Sequence, residues 1–174
     1  MATRNIVKDG DPILLKKSRT VSNFDKRLHI LIDDMIQTMI DANGLGLAAP
    51  QVGVLRRVII VLDADENVIE LVNPEIIHEE GEQDGPEGCL SFPGLFGMVV
   101  RPMKVVVKAQ NRYGRSFEVE GEGITARAFC HEVEHLEGKV FTERVSEYID
   151  DDEMAELRSG DELQDSDDER RPVE

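Results

Sequence analysis

His131-Glu132-Val133-Glu134-His135 is the stretch on which the reading of this chain turns. On a helix, two histidines four residues apart stack on one face a turn from each other, so both imidazoles can reach a single metal ion. Glu132 then lies beside them, where a carboxylate can take a proton from a metal-activated water without itself being a ligand. The helix is predicted to run from about Ile124 to Leu136 and to stop at Gly138. An exposed polar helix is the bland alternative, and the rest of the chain has to decide between the two.

Two histidines leave a hydrolytic metal site one protein ligand short. Cys130 precedes His131 directly, but neighbouring helical residues point about 100° apart, so its sulfur faces away from the pair and reads as a small buried hydrophobe. Cys89 has no such conflict. It lies in Glu87-Gly88-Cys89-Leu90-Ser91-Phe92-Pro93-Gly94, whose composition favours irregular backbone, and it can approach the helix from outside. A set of one cysteine and two histidines leaves a fourth position open for water. Other ways of completing an HExxH site fit less well: the extended metalloprotease pattern places its third ligand at 141, which is Phe141, and Glu153 or Glu156 lies in a segment too acidic and turn-prone to promise a second helix. A purely structural metal domain would need a fourth protein ligand, and nothing obvious supplies one.

Outward from the helix, the chain alternates one strong helical pattern with several strand-like ones. Asp11-Pro12-Ile13-Leu14 reads as an extended, proline-punctuated segment. From Phe24 to about Ala42, Leu28, Leu31, Ile32, Met35, Ile36, Met39 and Ile40 recur at three-and-four spacing, the buried stripe of a long helix ended by Gly44. His29 on that helix and His78 at a strand end have no second ligand spaced to join them and read as surface groups. Residues 57–62 and 68–72 read as strands, the second broken by Asn73-Pro74, and 79–86 reads as an acidic loop. Two strands, or one bent at Pro102, are expected between Gly97 and Lys108, followed by a turn over Asn111–Arg115 and a half-buried strand over Ser116–Glu120. Gly44-Leu45-Gly46-Leu47-Ala48-Ala49-Pro50-Gln51 serves equally well for tight packing or for close approach to a ligand.

Composition narrows the class. At 174 residues and 40% hydrophobic, the chain supports one well-buried core. A net charge of −16 argues against direct nucleic-acid binding, which needs a basic patch. No run of eighteen apolar residues suggests a membrane span, and the first residues lack the apolar core of a signal peptide, so a cytoplasmic address is expected, with Cys89 and Cys130 as free thiols or a ligand. From Glu147 to Glu174 thirteen acidic residues stand against three basic ones, and apart from one short helical turn that Met154, Ala155 and Leu157 could support, this segment is expected to be a disordered, solubilising tail. The expected division is therefore a catalytic domain over 1–146 and an acidic tail over 147–174.

Three of these stretches together resemble a known family. Gly44 to Gln51, Glu87 to Ser91, and His131-Glu132-Val133-Glu134-His135-Leu136-Glu137-Gly138 are similar, in order and separation, to the three signature motifs of peptide deformylases, across roughly residues 5 to 145. The resemblance implies an α+β fold, with antiparallel strands around a central HExxH-bearing helix and one long amphipathic N-terminal helix. It implies an enzyme that removes the formyl group from the N-terminal formyl-methionine of nascent polypeptides and releases formate. It further implies Cys89, His131 and His135 as ligands to Fe(II), with Zn, Ni or Co as substitutes, and Glu132 as general acid and base. Gln51 and the Leu90 backbone N–H become oxyanion donors, and Leu45, Gly46, Gly88, Ile124 and Arg127 line the peptide site. Glu87 and Arg101 resemble an ion pair bracing the cysteine loop. Glu134 stands where the family usually has aspartate, and Cys130 where it usually has glutamine. Transient contact with the ribosome is an implied partnership, with no membrane involved.

Overall fold

The computed structural model describes residues 2–168. Helix α1 spans Lys26–Asp41 and α2 spans Ile124–Leu136, while α3 spans Asp151–Asp168. Eight strands complete the α+β architecture: β1 Gly46–Ala48, β2 Val58–Leu62, β3 Val68–Glu80, β4 Gln83–Cys89, β5 Phe92–Arg101, β6 Lys104–Gln110, β7 Ser116–Glu122 and β8 Glu147–Ile149. They form two sheets, ordered β1-β2-β3-β6-β7 and β4-β5-β8, and every neighbouring pair is antiparallel.

The larger sheet separates the two helices. Side chains alternate along β2, so Val58 and Ile60 meet Leu28, Ile32 and Met35 of α1, whereas Ile59 and Val61 meet Ala126, Phe129 and Leu136 of α2. Burial on both faces explains why residues 58–61 are an unbroken apolar run rather than an alternating one. The α1 stripe holds for Leu28, Leu31, Ile32, Met35 and Met39, but Ile40 lies at its margin and is half-exposed. The Asp25 side chain caps α1 by accepting from Leu28 N at 3.1 Å. At the other end of the site helix, Gly138 takes φ +73° only 2.6 Å from Leu15 O to where a Cβ would lie, so the turn after α2 admits no side chain.

Four segments differ from the sequence expectation. Asp11-Pro12 opens a single 3-10 turn, Pro12–Leu15, capped by the Asp11 side chain on Ile13 N. Asn73-Pro74 does not end its strand; the ladder to β6 skips between Val72 and Glu75, which spares Pro74 a missing N–H. Asn73 adopts φ +51° and clamps the bulge, its side chain bonding Val21 N, Val21 O and the Gln110 side chain. The expected acidic loop at 79–86 shrinks because Gln83 to Pro86 pair in register with Arg101 to Met98.

The fourth difference is the acidic C-terminal segment, expected to be disordered from 147 onward but for one short turn around Met154 to Leu157. Residues Glu147–Ile149 instead pair with Met98, Gly97 and Phe96 of β5, and α3 follows. Met154 is buried at 8% exposure while Leu157 stays exposed, and Asp150 and Glu153 bond each other's backbone N–H at the helix start. The last six residues of that expected tail lie outside the described residues.

Candidate active site

Helix α2 delivers His131 and His135 on one face, their ring centroids 5.0 Å apart. From the smaller sheet, the β4–β5 turn brings Cys89 against them, with Sγ 3.4 Å from His135 Nε2. The three donor atoms lie within 4.8 Å of one another, the only such group of His, Cys, Asp and Glu among the described residues. Both cysteines are free thiols, and Cys130 is buried with the apolar residues beneath α2, where desolvation pushes its thiol up to about 11.

Glu132 is 4% exposed, with Oε1 4.0 Å from His131 Nε2. Burial pushes its carboxyl up to about 7, only partly opposed by His131. Strand β1 runs so close to it that a Cβ on Gly46 would lie 2.8 Å from Glu132 Cγ and Oε1. Gln51, 1% exposed, has its amide orientation fixed on both sides. Its Oε1 accepts from Ala48 N at 2.9 Å, and its Nε2 points to Ser91 Oγ at 3.1 Å and Cys89 Sγ at 3.4 Å.

Glu87 is the hub behind the histidines. Its carboxylate receives Arg101 through two bonds of 3.1 and 2.6 Å and Arg127 Nη1 at 2.9 Å, and it lies 2.5 Å from His131 Nδ1. Burial alone would push this carboxyl up, but the bonds from His131 and Arg101 outweigh it and hold the group well below the ordinary range. Arg101 and Glu87 are both nearly inaccessible, so their pair is no surface contact. Arg101 also reaches Glu134 at 2.9 Å, and Arg144 pairs with the same carboxylate from outside. Glu134 thus faces arginines rather than either imidazole.

With Glu87 on Nδ1, His131 turns Nε2 toward the centre, the arrangement in which a carboxylate fixes the tautomer of a metal-ligating histidine. Burial opposes protonation of His131, yet its contacts with Cys89 and Glu87 raise it well above the usual histidine range. Burial and the adjacent His131 keep His135 well below it. Buried Glu132 Oε2 and His135 Nδ1 find no hydrogen-bond partner among the described residues. A soft sulfur, two imidazoles and an uncommitted carboxylate beside them fit a divalent transition metal.

A cavity of about 420 Å³ opens onto this centre. Leu45, Gly46, Gly88, Leu90, Ile124 and Arg127 all line it, beside Cys89, His131 and Glu132. Gln51 and His135 lie a layer deeper. Arg127 presents its stem, while its guanidinium is buried on Glu87 and Val99 O. His29 and His78 stay away from the site, bonded to Arg112 O and Glu80 respectively. Local sequence carries no signal for three further contributors: Ser91, whose hydroxyl orients Gln51, and Phe96 and Arg158, which join the cavity wall outside any motif.

Comparisons with known proteins converge on one family. A family profile described as "Polypeptide deformylase" matches residues 3–150. A peptide deformylase of Acetivibrio thermocellus is 54% identical over 158 residues, covering 91% of this chain and 92% of its own. One from Caldicellulosiruptor bescii is 54% identical over 159 residues, covering 91% and 95%. The crystal structure of the Thermotoga maritima peptide deformylase superposes with a TM-score of 0.81 at 39% identity, over 84% of this chain and 99% of that one.

Proposed function

The chain belongs to the peptide deformylase family, so it is a metal-dependent hydrolase that removes the N-formyl group from nascent polypeptides, and on that premise we propose how its residues divide the work. Cys89, His131 and His135 hold one metal ion, which we take to be Fe(II), with Zn, Ni or Co able to substitute. When bound, that ion lowers the pKa of a water and polarises the formyl carbonyl. Glu132 accepts a proton from the attacking water as its oxygen bonds to the formyl carbon. The Gln51 amide and the Leu90 N–H donate to the developing oxyanion, and each such donor contributes about 10²–10³ in rate. Glu132 then delivers the proton to the methionine nitrogen, the C–N bond breaks, and formate leaves a free N-terminus.

Leu45 and Gly46 offer backbone groups to an extended peptide, as in strand addition. Gly88, Ile124 and the Arg127 stem surround the methionine side chain. Glu87 and Arg101 orient His131, and Glu134 braces Arg101. Residues 1–146 form the catalytic unit around the HExxH helix, and the acidic segment after them packs onto that unit through β8 and Arg158, the family match running on through β8 to residue 150. No helix among the described residues is long and apolar enough to cross a membrane. We place the enzyme in the cytoplasm with the polypeptides it processes, and any ribosome contact is transient and does not run through RNA.

The observation that carries this reading is the convergence of Cys89, His131 and His135 within 4.8 Å beside a buried Glu132 on an open cavity. The direct assay is formate release by the Fe(II)- or Ni(II)-loaded enzyme, purified anaerobically, from a formyl-Met dipeptide and its acetyl-Met analogue. Rapid release from the first and little cleavage of the second is expected. Stoichiometric metal without formate would overturn the reading.

A further inference from the structure

From Ile149, hydrogen-bonded beside Phe96, the chain turns directly into α3. Met154 anchors that helix, and Arg158, one turn further along the same face, returns over Phe96 with its guanidinium carbon 6.0 Å from the ring centroid. Phe96 is itself pressed against Gly88, where a Cβ would meet its ring at 2.7 Å. Phe96 and Arg158 thus both line the cavity, Phe96 beside Gly88. Glu153 and Glu156 of the same helix face a different depression, beside Met98 and Ile149. Among the side chains described, which run to residue 159, Arg158 enters no salt bridge. It also lies beyond residue 150, where the family match ends.

We infer that Arg158 is a specificity-determining residue of this chain, reading the charge of the peptide beyond the formyl-methionine and favouring acidic over basic side chains there. This rests on the deformylase reading. An extended peptide lying along Leu45 and Gly46 shares the cavity that Phe96 and Arg158 also line, which brings side chains beyond the methionine within reach of a guanidinium placed over an aromatic ring. Strong negative charge on the whole molecule attracts basic peptides from a distance, but beyond about 8 Å that field is screened at physiological salt, whereas a contact with Arg158 is not.

The test is kcat/KM for the metal-loaded full-length enzyme on formyl-Met-Ala-Glu-Glu and formyl-Met-Ala-Lys-Lys. The ratio of the two is expected to fall about three- to tenfold in Arg158→Ala and further in Arg158→Glu, to be largely kept in Arg158→Lys, and to change through KM. Arg115→Glu, in the exposed turn between β6 and β7, makes the same change in net charge remote from the cavity. An unchanged ratio in Arg158→Glu, or an equal change in Arg115→Glu, overturns the inference. No formate from either peptide would instead mean that the deformylase reading has failed.

Discussion

Gly46 and Glu132 set the tolerance of the site at the scale of single atoms. With a Cβ on Gly46 only 2.8 Å from the Glu132 carboxylate, Gly46→Ala must push that group off its position or move β1. A displacement of about 1 Å in a catalytic group costs roughly 10² in rate. We expect Gly46→Ala to lower kcat about 100-fold with little change in metal content; full activity would mean that Glu132 does not need this position. The two cysteines make a second residue-scale contrast. Cys130 is 5% exposed and its thiol is pushed up to about 11, whereas Cys89 opens onto the cavity. A thiol reagent at pH 8 should label one cysteine per native metal-free chain, Cys89, and metal should protect it. Labelling of Cys130 before unfolding would contradict this placement.

Among the elements, α1 carries a device separate from the site. Asp34, near its middle, accepts Ala2 N at 2.9 Å and Arg4 Nε at 3.0 Å, while Thr38 accepts Arg4 N, so the N-terminal strap is tied to the helix. The Ala2 bond, with Arg4, holds the Asp34 carboxyl below its ordinary value of 3.8 against the opposing effect of burial. A carboxyl depressed in the folded state contributes stability that is present above the unfolded value and lost as pH falls through the folded one. Native protein should therefore exceed Asp34→Asn in melting temperature at pH 6, with the gap closing below about pH 4 as the carboxyl protonates. A gap independent of pH would assign the effect to packing.

Legibility in the sequence also followed the element. Periodicity located α1 and α2 within two residues, because each has a single buried face on the large sheet. The apolar run of β2 and the alternation of β7 were equally readable. Strand β4 was not, since Asp84, Gly85 and Pro86 have loop composition and are held in the ladder only by β5, a tertiary effect. The same holds for β8 and the start of α3, whose order depends on Phe96 and Met154 rather than on local propensity.

For the molecule as a whole, two sheets and one helix bring together residues from three distant stretches. Helical spacing makes His131, Glu132 and His135 legible from sequence, and elimination of Cys130 points to Cys89. Less visible is the web behind them. Glu87 binds Arg101, Arg127 and His131 across 44 residues of chain, a convergence that no local pattern encodes. Arg158 is the extreme case, carried to the cavity by a helix whose composition suggests only solvation.

The central claim is that Glu132 moves the proton at a metal held by Cys89, His131 and His135. Glu132→Gln keeps the size of the side chain and removes its charge, so the most direct measurement pairs metal content with formate release from formyl-Met peptide in that variant. One metal per chain is expected to remain while the rate falls about 10²–10⁴-fold. Near-native formate release from metal-loaded Glu132→Gln would contradict the account.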